Sequence, residues 1–408
     1  MSVNSNTPEI RFEVFSGEWE EKVLGELAEI VRGASPRPIE DPKWFDSQSS
    51  VGWLRIRDVT EQDGRIHYLE QRISKLGQEK TRVLHEKHLL LSIAASVGKP
   101  VVNYVETGVH DGFLIFKKPL FELEFMYQWL KYFEAKWQQF GQPGSQVNLN
   151  SDIVKSQVVA IPTNEEQTAI GNYFQKLDSL INQHQQKHDK LSNFKKAMLE
   201  KMFPKQGETI PEIRFKGFSE KWEEKGLGTD VAEIIGGGTP STSISEFWDG
   251  DIDWYSPTEI GNNVYAGGSQ KKITALGLKS SSAKILPAGN TILFTSRAGI
   301  GDMAILAKPG ATNQGFQSFI VKEGFSPYFI YSAGKQIKEF ALKHASGSTF
   351  LEISGKQLGR MKILMPSLEE QTAIGSFFQK LDNLINQHQQ QIAKLNNIKQ
   401  ACLSKMFV

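Results

Sequence analysis

The residues best suited to chemistry in this chain are cations and amides rather than nucleophiles. From Ile260 to Gly301 there are five basic residues, Lys271, Lys272, Lys279, Lys284 and Arg297, and no Asp or Glu. The matching stretch of the first half, Trp53 to Lys99, carries nine basic residues against six acidic ones, Arg55, Arg57 and Lys99 among them. Interleaved with Asn, Gln, Ser and Thr, such residues suit phosphate contact combined with hydrogen bonds to base edges. A solvated basic face has the same composition, so charge alone leaves both readings open. The candidate base-edge donors are Arg297, Asn313 and Gln314 in the second half and Arg55, Arg57 and His110 in the first. Lys99, Lys271 and Lys272 are further candidate nucleic-acid contacts.

Catalytic signatures are missing. The chain has no phosphate-cradling GxxxxGK[ST], no HExxH and no GxSxG with partners in order. The run IIGGGTPST at 234 to 242 is glycine-rich without being a dinucleotide fingerprint, and reads as a loop where backbone approaches something closely. Glu20-Glu21 and Glu223-Glu224 lie beside tryptophans, where salt bridging or partner contact suits them better than acid-base work. The single cysteine, Cys402, excludes an internal disulfide and a cysteine-rich zinc site and fits a reducing compartment. No catalytic residue, metal or cofactor is therefore expected in this chain.

The elements that must position the cations and amides are laid out twice. EEQTAIGNYFQKLDSLINQHQQ from Glu165 returns as EEQTAIGSFFQKLDNLINQHQQ from Glu369, an offset of 204. PEIRFEVFSGEWEEKVLG from Pro8 returns as PEIRFKGFSEKWEEKGLG from Pro211, an offset of 203. Weaker echoes keep that frame: SVGKPVV at 96 with GIGDMAI at 299, HDGF at 110 with NQGF at 313, and Gly144-Ser145 with Gly347-Ser348. The chain is two half-length units whose termini are near copies and whose middles, mixed strand and loop with some helix, diverge. Near copies suit one job done twice, and divergent middles suit two different jobs. The PEIRF and FSxxWEE copies fit packing on their own unit or on a partner equally well.

From Ile170, the positions Phe174, Leu177, Ile181, His184, His188, Leu191, Lys195, Met198 and Met202 step by alternating fours and threes, the seam of a coiled coil. The second copy runs Ile374, Phe378, Leu381, Ile385, His388, Ile392, Leu395, Lys399, Cys402 and Met406. A helix from about Glu165 to Phe203 would be roughly 55–60 Å long and needs another long helix beside it, most simply its own copy. Thr163 and Ser367, after Pro162 and Pro366, can cap the helix starts. The polar seam residues suit the setting of register and orientation better than a metal site.

At 408 residues, 39% hydrophobic, 23% charged and with a net charge of +1, the composition is that of an ordinary multidomain soluble protein, not a polycation. The start MSVNSNTPEI has no signal-peptide pattern, and the longest apolar stretch, 89 to 98, is too short to span a bilayer. A cytoplasmic protein with no membrane association is expected.

Together these landmarks resemble the specificity subunit of type I restriction-modification systems, over nearly the whole chain. The second half carries GGTP at 237 to 240, DIDWYSPTEI at 251 to 260, LPAGNTILFTSRAGIG at 286 to 301, ATNQGFQSF at 311 to 319 and Pro-x-x-EEQxxI from Pro366. The first half carries GASPRP at 33 to 38, QPGSQVNLN at 142 to 150 and the same helix start from Pro162, but has Ala94 where the family pattern has an arginine such as Arg297. The resemblance implies a mixed α/β fold with a pseudo-twofold internal duplication. Its parts would be a first target recognition domain at 1–162, a first spacer helix at 163–204, a second recognition domain at 205–366 and a second spacer helix at 367–408. The two spacer helices would form an antiparallel coiled coil with Phe174, Leu177, Ile181, Leu191, Phe378, Leu381, Ile385 and Leu395 in its seam. Each domain would read one half of a split, asymmetric site in double-stranded DNA; a spacer of that length exceeds one duplex turn of about 34 Å. The partners implied are two modification methyltransferase subunits, which would bind S-adenosylmethionine and methylate adenine N6, and restriction subunits that translocate and cut. Two rivals from other classes are a coiled-coil scaffold whose middles bind protein or glycan, and an enzyme whose site is assembled from the middles.

Overall fold

Three strands of the first half, LLLS, PVVN and FLIFK, are continuous apolar runs, which is what a strand covered on both faces requires. They form the middle of a five-stranded sheet in the order Glu29–Arg32, Phe113–Lys117, Leu89–Ser92, Pro100–Asn103, Arg65–Ile66. Neighbours are antiparallel except the last pair. The second half builds the same sheet from Ala232–Gly236, Gln317–Val321, Thr291–Phe294, Met303–Leu306 and Tyr265–Ala266, again with only the last pair parallel. Register repeats as well: Ile30 faces Phe116, and Ile234 faces Phe319. The structure is a computed structural model that describes residues 6–94, 97–140, 149–261, 263–297, 299–347 and 351–408. The echo Gly144-Ser145, Ser348 of its counterpart, Ser96 of SVGKPVV and residues 142–148 of QPGSQVNLN lie outside the described residues.

Beside each large sheet lies a three-stranded one. In the first half Gly52–Leu54 runs parallel to Thr107–Val109, which Arg82–Leu84 flanks on its other side. In the second, Trp248–Tyr255 runs parallel to Ala311–Thr312 and is flanked by Lys271–Ile273. A two-stranded ladder carries the paired glutamates: Glu20–Val23 on Val158–Ile161, and Glu223–Gly226 on Lys362–Met365. There Glu20 pairs with Lys22 at 3.1 Å and Glu223 with Lys225 at 2.7 Å, so these acids are edge-strand salt bridges.

The fold is mixed α/β, and each half ends in a helix of 38 residues, Asn164–Lys201 and Leu368–Lys405. Capping is as the sequence predicts, with Glu166 N–H facing Thr163 Oγ1 and Glu370 N–H facing Ser367 Oγ, both at 3.4 Å. Contacts divide the chain into two compact units, Met1–His184 with Gln391–Val408, and Gln185–Gln390. Each unit thus contains the start of one long helix and the end of the other.

Within the first unit these segments run antiparallel. Phe174 stacks on Phe407, Tyr173 OH meets Cys402 Sγ, and Asp178 takes an ion pair from Lys399. Within the second, Phe378 stacks on Phe203 and Asp382 pairs with Lys195. The seam lysines that interrupt the apolar pattern therefore each face a carboxylate, and the offset of 204 maps one pair onto the other. Phe174, Leu177, Phe378 and Leu381 are buried in the unit cores, with Leu191 and Leu395 packed against them; Ile181 and Ile385 are half-buried. Phe407 and Phe203 occupy equivalent places, wedged against Phe125 and Phe329.

The PEIRF copies pack on their own units. Arg11 binds both oxygens of Glu166, and Arg214 both oxygens of Glu370. The next residue of each helix clasps the domain: Gln167 donates to Pro162 O and accepts from Glu122 N–H, while Gln371 donates to Pro366 O and accepts from Ser326 N–H, all at 2.9–3.0 Å. The EEQ motif is therefore a joint between long helix and sheet domain. Among the described residues no helix is long and apolar enough to cross a membrane.

Candidate nucleic-acid interface

The strand Glu29–Arg32 runs into a loop that lies on the turn after Thr107–Val109. Gly33 N–H donates to Phe113 O at 2.9 Å and Ala34 N–H to Val109 O at 3.0 Å. The two backbones are so close that a Cβ on Gly33 would overlap the His110 carbonyl oxygen, which restricts the position to glycine. Ser35 and Arg37, next along the loop, then reach Asp111: the Ser35 hydroxyl donates to Oδ1 at 2.7 Å and Arg37 to Oδ2 at 2.6 Å. His110 turns Nδ1 toward its own turn and accepts the Gly112 N–H at 2.8 Å. Its ring lies between Phe113 and Trp53, with centroids at 4.9 and 5.9 Å. Burial lowers the His110 pKa from its ordinary value, against a smaller opposing pull from Asp111. For Asp111, burial works upward, but the Ser35 hydroxyl and the charges of Arg37, Arg32 and His110 outweigh it and hold the carboxyl below its usual range. A cavity of about 300 Å³ opens here, lined by Ser35, Arg37, Trp53, Arg55, His110 and Asp111.

The second unit builds the same cradle from different side chains. A Cβ on Gly237 would overlap the Asn313 carbonyl oxygen, and Gly238 N–H donates to Thr312 O at 2.9 Å. Asn313 Oδ1 accepts the Gly315 N–H at 2.8 Å, the task of the His110 ring in the first unit. Thr239 Oγ1 donates to Gln314 Oε1, as Ser35 does to Asp111. Ser296 N–H donates to Gly315 O at 2.8 Å and Ile93 N–H to Gly112 O at 2.8 Å, which makes Ala94 the counterpart of Arg297.

The sequence-derived candidates fall into groups. Arg55 and His110 line one cavity, whereas Asn313 and Gln314 lie in the turn that ends at Gly315 and Arg297 follows Ser296, whose N–H is tied to that turn. Arg55 also caps the helix Ile56–Glu61: its N–H and guanidinium bind Asp58, with a further arm to Glu70 at 3.3 Å. Ser256 takes its place in the second unit, capping with Glu259. Arg57 is exposed and paired with Glu61 at 2.6 Å. Lys99 is half-buried where the chain enters Pro100–Asn103. Lys271 and Lys272 are exposed on the strand beside Trp248–Tyr255, Lys271 over the Trp248 ring and Lys272 at 3.7 Å from Asp253. Sequence reasoning missed Ser35, Arg37, Thr239 and Asp111. The matched HDGF and NQGF tetrapeptides held the signal for Asp111, because its counterpart Gln314 was singled out. Among the described residues no cluster of three His, Cys, Asp or Glu is placed to hold a metal ion.

The duplication has a counterpart in a known family. The model of the type I restriction modification DNA specificity domain matches residues 16–193 and again 219–397. The chain belongs to that family. Its two specificity domains coincide with the two sequence repeats. Over 191 residues it is 37% identical to the type I restriction enzyme MjaIX specificity subunit of Methanocaldococcus jannaschii, a match covering 46% of this chain and 44% of that one. Over 183 residues it is 32% identical to the EcoR124I/EcoR124II specificity subunit of Escherichia coli, covering 43% and 44%. The aligned region spans less than half the length of either relative. The crystal structure of a type I restriction-modification system S subunit from M. genitalium shares the fold, with a TM-score of 0.62 over 98% of this chain and 99% of that one at 15% identity.

Proposed function

We propose that this chain is the non-catalytic, DNA-reading subunit of a type I restriction-modification assembly. Each specificity domain reads one half of a split, asymmetric site, and the long helices dock two copies of a modification methyltransferase subunit. The observation that carries this reading is the cradle itself. Its backbone is the same in both units, with His110 and Asn313 closing the same turn, while the outward-facing side chains change from Ser35 and Asp111 to Thr239 and Gln314. One scaffold with two sets of hydrogen-bonding groups is what two different half-sites require, since bases are told apart by donor and acceptor pattern. The lysines and arginines outside the cradle, Arg297 excepted, act on phosphates and set affinity rather than sequence.

Docking of two identical partners is supported by the surfaces of the long helices. Lys176 and Lys380, Gln183 and Gln387, and Gln185 and Gln389 are exposed and identical between the copies. Packing within the units does not demand identity at exposed positions, whereas a partner bound twice does. In this reading S-adenosylmethionine belongs to the methyltransferase, which methylates adenine N6, and restriction subunits supply translocation and cleavage. The domain limits at 162, 204 and 366 follow the same scheme.

Selection from randomised duplex DNA by the chain in complex with its methyltransferase subunit tests this. The expected product is two short, different blocks separated by a fixed gap. Enrichment of no motif, or of a single continuous block, would count against it.

A further inference from the structure

We infer that Asp111 and Gln314 are equivalent base-reading positions, and that their different hydrogen-bonding capacities give the two half-sites different bases at one position each. The inference rests on the DNA-reading function proposed above and adds which side chains discriminate. The equivalence stands on three matched features: the close approach of Gly33 and Gly237 to the turn, the capping of Gly112 and Gly315 N–H groups by the preceding His110 and Asn313, and the Ile93 and Ser296 hydrogen bonds to the same glycines.

That arrangement gives His110 and Asn313 a turn-forming task and leaves the next residue to face outward. Asp111 keeps 36% of its side chain exposed, and Gln314 is exposed. Each is steadied by a hydroxyl from the facing loop, Ser35 or Thr239. Asp111 also has Arg37, itself 70% exposed, on its second oxygen.

An ionised aspartate only accepts hydrogen bonds, whereas a glutamine both donates and accepts. A carboxylate near a polyphosphate backbone is repelled by it. It is suited to such a surface where a base amine donates to it, and cytosine N4 and adenine N6 are the amines exposed in the major groove. Asp111 therefore selects an amino base in its half-site. Gln314 matches adenine, whose N6 donates and N7 accepts. Arg37 offsets the carboxylate charge and is placed to meet a neighbouring phosphate.

The test uses the full chain co-expressed with its methyltransferase subunit in a host without other adenine methylation, with N6-methyladenine mapped by single-molecule sequencing. Asp111→Asn should relax one base of one half-site, with discrimination there falling roughly 5- to 150-fold while the other half-site and the gap stay fixed. Gln314→Glu, at an exposed position, should do the same to the other half-site and carries the test where Asp111→Asn fails to assemble. An unchanged motif in both variants, or a uniform fall in methylation at every site, would overturn the assignment while leaving DNA reading intact. A wild-type complex that methylates no split motif would overturn the DNA-reading function and this inference with it.

Discussion

Arg11 holds Glu166 through two charge-assisted hydrogen bonds, Nε to Oε1 at 2.8 Å and Nη2 to Oε2 at 2.7 Å, across 155 residues of sequence. Arg214 repeats the grip on Glu370 at 2.6 and 2.7 Å. Both carboxylates are 1% exposed, so removing the arginine strands a buried charge. Arg214→Ala is expected to destabilise the second unit by about 3–5 kcal/mol. Combining it with Glu370→Gln should recover part of that loss, because the charge goes with its partner. Urea unfolding of the single and double variants checks this, and a loss under about 1 kcal/mol in Arg214→Ala would show that the pair is not the joint.

His110 predicts a pH dependence confined to the first unit. Its pKa is lowered by burial from an ordinary value of 6.5, so just below pH 6.5 the unfolded chain binds a proton that the folded one does not. Stability is then greatest above pH 6.5 and falls as pH drops from there through the folded pKa. His110→Asn borrows the Asn313 solution, keeps an acceptor for Gly112 N–H and should flatten that slope. Thermal melts between about pH 5 and 8 compare the two.

The cradle glycine Gly237 and a glycine outside the cradle, Gly268, are expected to tolerate an added methyl very differently. Gly237→Ala must push backbone against backbone and should cost about 1–3 kcal/mol. Gly268→Ala, whose Cβ would meet nothing within 4 Å, should cost less than about 0.5 kcal/mol. Equal effects in denaturant titrations would contradict the close approach.

Arg297 follows Ser296, whose N–H is tied to the Gly315 turn, and has Ala94 as its counterpart in the first unit. Arg297→Ala should therefore weaken discrimination at one base of one half-site by about 1–3 kcal/mol and leave the other unchanged. Competition binding of the methyltransferase complex to single-base variants of its site reads this directly. An equal loss on every DNA sequence would make Arg297 a phosphate contact instead.

Much of the architecture was legible because it was written twice. The repeats located the units, Thr163 and Ser367 marked the helix starts, and the seam residues Phe174, Leu177, Phe378 and Leu381 are buried. The reading of IIGGGTPST as a close backbone approach holds at Gly237. Other features depended on distances in space that no local pattern encodes. Arg11 gives no sign of Glu166, and the strands other than Trp248–Tyr255, at two to five residues, are too short for periodicity to show. Counting cations overstated the free basic surface, since Arg55, Arg57 and Arg65 are held by Asp58, Glu61 and Glu124. The place of Asp111 in the cradle could not be read from the sequence, because its hydroxyl and guanidinium neighbours, Ser35 and Arg37, lie more than 70 residues away in the chain.

The central claim is that two cradles of one design read two different half-sites. Its most direct measurement is the genome-wide map of N6-methyladenine in a host that carries this chain with its methyltransferase, compared with the same host lacking this chain. One asymmetric motif of two short blocks around a fixed gap, lost when the chain is absent, is the result expected. Methylation that persists without the chain, or that follows no split motif despite a stable complex, would contradict it.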